Sequence, residues 1–337
     1  MSMNKQPSSG TTRYGFLLTP NFTMLAFSCA VEPLRMANRK SGQTLYEWPV
    51  FTFDDKPVKA SNGIVFHPDH SIQDATNVDA LFVCCGIEVR NNWNKPLNAW
   101  LQNFAKTGSP LGSLCTGAYL LARAGLLNGY RCTIHWEHIA SIREEFPLLI
   151  PSEALFEMDG DRYTSAGGSA PTDMMLHLIR QRHGEALAIA ISEQFMWSRI
   201  RDRFDKQRVP LQVHLGTSQP KLIEAVTLME ANLEEPMKLD EIAMHVGVSR
   251  RQLERLFQKY VHCVPTRYYL ELRLNRARQL LLQTKKSIVD IALACGFISA
   301  SHFSKCYRDV FGVPPSEERR LSRHRDPADG SDAFTPG

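Results

Sequence analysis

Two groups of side chains in this chain have the types and spacing for chemistry. The first is basic and amide-bearing: Arg250, Arg251, Gln252 and Arg255 follow Ser249, while Lys305 and Arg308 follow Ser299, Ala300, Ser301 and His302. Arginine and glutamine address base edges in the major groove through paired hydrogen bonds, whereas lysine and a helix N-terminus mainly hold phosphates. The second group centres on a thiol. GSLCTG places Cys115 between a strand-like run and a helical one, a sharp turn at which a helix N-terminus favours a thiolate or a ligand anion. Arg90, Asn91 and Trp93 follow one apolar run, His135 and Trp136 follow another, and Glu32 adds a carboxylate inside the apolar face of the first helical stretch.

The basic group sits on a device that occurs twice, about fifty residues apart. In LDEIAMHVGVSRRQLERLFQKY, Ile242, Ala243 and Val246 make an apolar helix face, Gly247 suits a tight turn and Ser249 is a natural N-cap. Leu253, Leu256, Phe257 and Tyr260 then face inward. SIVDIALACGFISASHFSKCYRDVFG repeats the scheme with Ile288, Ile291, Ala292 and Cys295 before Gly296, and Phe303, Tyr307 and Phe311 after it. Its turn is one residue longer. Between the copies, Tyr269, Leu272, Ala277, Leu280 and Leu281 recur at helical spacing, which predicts one continuous helix joining two readers about 10 bp apart on double-stranded DNA.

The thiol group belongs to a region of alternating strand and helix patterns. YGFLLTP, WPVFTF, DALFVCCG and PLGSLC read as strands; MLAFSCAVEPLRMANRK, KPLNAWLQNFAK and TGAYLLARAGLL read as helices. KASNGIVFHP reads as a hairpin or edge element. Two more helices run over Ala170–His183 and Glu185–Trp197, the second apolar enough to be either a dimer contact or an ordinary packed helix. This order predicts an α/β domain with a mostly parallel sheet covered on both faces, followed by an all-α domain with two helix-turn-helix units.

The expected boundaries are a disordered leader over 1–12, an α/β domain over 13–200, a linker over 201–218, a DNA-binding domain over 219–320 and a disordered tail over 321–337. Pro210, Gly216, Thr217, Ser218 and Pro220 mark the linker. With 337 residues, 43% of them hydrophobic, the chain can bury two cores. No apolar run reaches membrane-spanning length and the polar start carries no signal-peptide pattern, so a cytoplasmic protein is expected. The eight cysteines form no CxxC pair and no cluster with histidine, which predicts reduced thiols, no metal site and no cofactor. Net charge is only +4; the basic run Arg199–Arg208 suits either DNA or a solvated linker.

From about Gln219 to Arg320 the stretches RRQLERLF, RLNRARQLL, IALACGF, HFSKCYRDVFG and VPP make the chain similar to the DNA-binding domain of AraC/XylS-type transcription regulators. Over roughly Arg13–Trp197 it resembles the PfpI/ThiJ superfamily, also described as class I glutamine amidotransferase-like, on Cys115, Glu32 and TSAGGSAPTDMMLHLI. That likeness implies a flavodoxin-like fold. In peptidase-like relatives a histidine follows the nucleophile directly; here the next residue is Thr116. An unassisted thiol carries little thiolate and needs a base within reach, for which His135 is the candidate.

The fusion resembles regulators of amino-acid and quaternary-amine catabolism, and AVEPLRMAN, IHWEH and SAGGSAPTDMMLHLI look most like those responding to glycine betaine, dimethylglycine or carnitine. The resemblance implies a homodimer that activates transcription beside RNA polymerase. A trimethylammonium donates no hydrogen bond, so Trp93, Trp136 and Glu32 are suitable partners, with a ligand carboxylate resting on the amides at Thr116 and Gly117. Core packing is the other reading of each tryptophan. Two rival functions stand: a regulator responding to arginine or another amino acid, and a DNA-tethered thiol hydrolase or amidase using Cys115, which on the first reading is a vestigial elbow.

Overall fold

The computed structural model describes residues 10–202, 205, 207 and 219–324; the expected leader, linker and tail fall largely outside them. The chain divides after residue 207 into two compact units.

The first unit is built on β1 (Thr12–Leu18), β6 (Ala80–Cys84) and β7 (Leu111–Leu114), which pair in parallel. Alternation along them sorts the core into two layers. Tyr14, Phe16, Leu18, Ala80 and Phe82 face one cluster, with helices α1 (Met24–Ser41), α5 (Ala170–His183) and α6 (Glu185–Gln194). Leu17, Leu81 and Val83 face the other, with α2 (Lys95–Ala105), α3 (Ala118–Arg123) and α4 (Ile139–Glu145). The parallel sheet covered on both faces is therefore present.

Short strands β2 (Tyr46–Glu47) and β3 (Val50–Thr52) extend the β1 edge in parallel. β4 (Val58–Lys59) and β5 (Val65–Phe66) make the small hairpin expected of KASNGIVFHP. The short strand expected before His135 is β8 (Arg131–Thr133); three features had no counterpart in the sequence patterns: β2 itself, β9 (Ile150–Ser152), which pairs with β8 in parallel, and an antiparallel edge of β10 (Phe156–Asp159) and β11 (Arg162–Ser165). β11 runs parallel to β7, so the order across the sheet is β10-β11-β7-β6-β1-β2. The chain leaves β1 for β3 on one side and returns to β6 on the other, which opens a crevice at their carboxyl ends.

The second unit is helical: α7 (Pro220–Ala231), α8 (Leu239–His245), α9 (Arg250–Tyr260), α10 (Pro265–Gln283), α11 (Ile288–Ala294), α12 (Ala300–Phe311) and α13 (Pro315–His324). It holds two small cores. Ile242, Ala243, Val246, Leu253 and Phe257 close over Leu222, Val226 and Met229 in the first. Ile291, Ala292, Cys295, Phe303 and Tyr307 form the second. The α10 helix serves both: Tyr269 packs into the first, and Leu274, Ala277, Leu280 and Leu281 into the second. The expected continuous helix spans about 28 Å at 1.5 Å per residue.

Candidate DNA interface and ligand site

Each reader is assembled by a serine cap. The Ser249 hydroxyl accepts from the Gln252 amide at 3.2 Å, and the Gln252 side-chain oxygen accepts from the Ser249 amide at 2.8 Å. That reciprocal box starts α9 and occupies Gln252. Ser299 caps α12 by accepting from the His302 amide at 3.2 Å. Gly247 and Gly296 hold φ of +70° and +72° in the two turns.

The expected DNA contacts separate by how much the fold already uses them. Arg250 is bound to Asp240 at 3.2 Å through Nη1 and to Glu254 at 3.0 Å through Nε, which partly neutralises its charge while other N–H groups of the exposed guanidinium stay open to DNA. Arg251 and Arg255 stand exposed on the same helix. Arg255 also lines a groove of about 630 Å³ with Gln252, Lys259, Gln219 and Lys221. On α12, Ser301, His302, Lys305 and Arg308 are exposed and Ala300 is half-buried. The Arg251→Ala variant is expected to lose about 1–3 kcal/mol of operator binding, concentrated at one base pair, in an anisotropy titration over base-substituted duplexes.

The spacing of the readers is held by contacts no local pattern reveals. Arg273 on α10 donates to the carbonyls of Cys295 at 2.7 Å and Gly296 at 2.6 Å, and its guanidinium lies 4.1 Å from the Phe297 ring centroid. It thereby caps the end of α11. Glu318 of α13 accepts from Arg278 at 2.8 Å and from the Tyr307 hydroxyl, tying α10, α12 and α13 together.

In the first unit the crevice brings together Thr23, Gly86, Cys115, Thr116 and His135. Cys115 follows β7 with φ +58°, the left-handed backbone of an elbow, and only glycines fit around it. A Cβ on Gly117 would lie 2.1 Å from the Val83 carbonyl oxygen, and one on Gly167 would lie 2.6 Å from the Cys115 Cβ. Thr23, the N-cap residue of α1, makes no side-chain cap; its hydroxyl donates to the Cys115 sulfur at 3.6 Å. The Thr116 hydroxyl donates to the Gly86 carbonyl at 2.6 Å. His135 meets Cys115 through main chain, its amide donating to the Cys115 carbonyl at 3.4 Å.

Electrostatics keep this thiol quiet. Burial pushes the Cys115 pKa up, outweighing its hydrogen bonds from Thr23 and the Thr116 amide. Burial also lowers His135, against a smaller opposing pull from Glu137, whose carboxylate lies 3.7 Å from Nδ1. His138 is pushed down to about 4, by burial first and then by His135 and Arg90. The unfolded chain therefore takes up a proton near pH 6.5 that the folded chain refuses until about 4. Stability is full above pH 6.5 and falls as pH drops through that window. Because His138 keeps part of its surface in water, the expected loss is about 2 kcal/mol, checked by urea melts with and without His138→Gln.

Other expected site residues lie elsewhere. Glu32 is turned outward, its side chain 46% exposed and paired with Arg35, and is not joined to the Cys115 cluster. The face it occupies is the solvent side of α1, because Ala26, Ala30, Leu34 and Ala37 take the buried side. One face of Trp93 is covered by Arg123, 4.4 Å from the ring centroid, and its indole N–H reaches Asn98 at 3.4 Å. Arg90 and Arg123 converge on Glu145 beside Tyr119, so the loop after β6 is a packed ionic patch. Trp136 stays 39% exposed, its ring 5.8 Å from that of His135. In the basic run, Arg199 pairs with Asp205 and Arg201 with buried Asp173, so both serve the first unit's own structure.

A covered parallel sheet with a cysteine elbow, followed by two capped readers on a shared helix, defines a DNA-binding transcription regulator carrying an amidotransferase-like front domain. Residues 242–321 match the helix-turn-helix domain family and 29–181 the DJ-1/PfpI family. The chain is 54% identical to the HTH-type transcriptional regulator GbdR of Pseudomonas aeruginosa, over 94% of this chain and 85% of that one. It is 44% identical to CdhR of the same species, over 94% of each. Among solved structures, an AraC family regulator from Pseudomonas putida superposes with a TM-score of 0.50 at 30% identity, over 55% of this chain and 99% of that one. The chain belongs to the AraC-type HTH transcriptional regulators with a DJ-1/PfpI domain.

Proposed function

We propose that the front domain binds a small quaternary amine or amino acid, such as glycine betaine, dimethylglycine or carnitine, without turning it over, and that occupancy governs how the readers engage DNA. The observation that carries this reading is the state of Cys115: the strained elbow is kept, yet its thiol is buried, protonated and bonded to a threonine instead of a base. Such an arrangement positions a ligand and supplies no thiolate. Trp136, 39% exposed, and Glu137, beside His135, are an aromatic ring and a carboxylate of the kinds a trimethylammonium takes. They replace Trp93, whose face Arg123 covers, and Glu32, which Arg35 holds.

Titration calorimetry of the full-length chain with glycine betaine, dimethylglycine, carnitine and arginine tests the reading. Binding of one amine is expected, weakened by about 0.5–2 kcal/mol in Trp136→Ala, the range of one cation–π contact. Cys115→Ser should keep the DNA response, and the wild type should release no product from amides or glyoxals. Turnover that vanishes in Cys115→Ser would instead establish the thiol hydrolase, and tightest binding of arginine would transfer the effector to the amino-acid class.

For the ligand to act, it must favour one arrangement of the protein over another; equal affinity for both shifts nothing. The remaining parts of the reading are a homodimer, activation beside RNA polymerase and a cytoplasmic location. Exposed Ile189 and Met196, on and just after α6, suit a contact with a second copy, which sedimentation measures directly. No helix among the described residues is long and apolar enough to cross a membrane.

A further inference from the structure

The two readers turn identically and then differ by one inserted residue. In the first, the Gly247 amide donates to Met244 at 3.1 Å and the Val248 amide to Ala243 at 3.0 Å; in the second, Gly296 donates to Leu293 and Phe297 to Ala292, both at 2.9 Å. Val248 and Phe297 thus occupy the same place. The first chain then passes straight to its cap, Ser249, whereas the second inserts Ile298 before Ser299.

Ile298 has no structural task. Phe297 already fills the apolar space of the turn, 2% exposed and 5.2 Å from the Phe303 ring, while Ile298 is 99% exposed. A large aliphatic side chain held wholly in water gains no burial from folding and keeps its full apolar area to bury on binding. Its place decides the partner. It stands at the N-terminal end of α12, the end of a recognition helix that reaches the bases. No acidic residue lies in the first turn, and Lys305 and Arg308 follow along the exposed side. In the major groove, the apolar group on offer is the thymine 5-methyl.

We propose that Ile298 packs on a thymine methyl and is a specificity-determining residue of the second reader. Its β-branched side chain is stiff at χ1, so little rotamer freedom is lost when the contact forms. The first reader, lacking the insertion, has no equivalent contact and reads by Arg251 and Arg255.

The test uses the full-length protein and a duplex it selects from a randomised pool, with each thymine replaced in turn by deoxyuridine, which lacks only the methyl. Wild type should lose about fourfold in affinity at one position, the value of about 0.8 kcal/mol for one buried methyl. Ile298→Ser should show no loss there and an unchanged profile elsewhere, and Ile298→Val should retain most of the discrimination. Circular dichroism should be the same for all three, since the side chain is exposed. A flat deoxyuridine profile in wild type, or one that Ile298→Ser leaves unaltered, would overturn the proposal. So would normal DNA binding and discrimination by Ile298→Ser with loss of transcription, which would make Ile298 a protein contact.

Discussion

Asp173→Ala is expected to destabilise the front domain by about 3–5 kcal/mol, the usual cost of removing one partner from a buried ion pair. The carboxylate is fully buried and accepts from the Trp197 indole at 3.1 Å, the Arg201 amide at 2.7 Å, and the Arg201 guanidinium at 3.0 and 2.7 Å. The same guanidinium donates to Ser169 at 2.9 Å and stacks 5.1 Å from the Trp197 ring centroid. Truncation leaves these donors facing a void. Urea melts of wild type, Asp173→Ala and the double variant Asp173→Ala/Arg201→Met measure the effect; removing both charges should recover part of the loss, because the larger share comes from the orphaned guanidinium. Equal stability of wild type and Asp173→Ala would show that the clasp contributes nothing.

The clasp also bears on how the front domain ends. Arg201, Asp205 and Gln207 lie where the sequence suggested a linker, yet they are stitched to the first unit, Asp205 through Arg199 just before it. The Gln207 amide nitrogen donates to Thr133 at 2.8 Å, to the Ile134 carbonyl at 2.9 Å and to the Ala154 carbonyl at 3.1 Å. Thr133 and Ile134 immediately precede His135. The end of the first unit is therefore hydrogen-bonded to the strand that leads into His135.

Gly296→Ala is expected to cost about 2–5 kcal/mol and to weaken operator binding about tenfold or more. Its φ of +72° strains any L side chain by about 1–2 kcal/mol. A Cβ there would lie 2.5 Å from Pro236 and 2.8 Å from the Leu233 carbonyl, in the loop between α7 and α8, so the turn of the second reader sits directly against the first. Relieving that overlap adds about 1–3 kcal/mol and moves one reader relative to the other. Two linked readers gain affinity only when their spacing matches the duplex. Gly247→Ala is the control: its φ is +70°, but only the flexible end of Lys221 comes within 4 Å. It should share the strain and keep the spacing. Equal losses of DNA affinity in both variants would remove Gly296 from any role in spacing.

The repeated device was legible because its signals are local: apolar positions at helical intervals, a glycine at the turn and a serine cap recur within some twenty residues. The central strands were legible for the same reason, being short apolar runs bounded by turn residues. β2 and β9 were not, since two or three residues carry no period, and the β10–β11 hairpin is set by pairing to β7 rather than by its own pattern. The thiol elbow showed in GSLCTG, but its true partner Thr23 lies 92 residues away.

Residue order alone thus determined that this protein folds as a covered α/β sheet followed by paired DNA readers, because periodicity and caps act over a few residues and survive any arrangement of the rest. Tertiary structure decided which of the named side chains remain available. Arg123 covers Trp93 from thirty residues away and Glu145 holds Arg90 from fifty-five, whereas the partners of Gln252 and Glu32 and the Glu254 partner of Arg250 are local, three or four residues along the same helix or its cap. Whether a charge or ring meets a ligand depends on the groups that chain crossings bring against it, and those distances are not written in sequence separation.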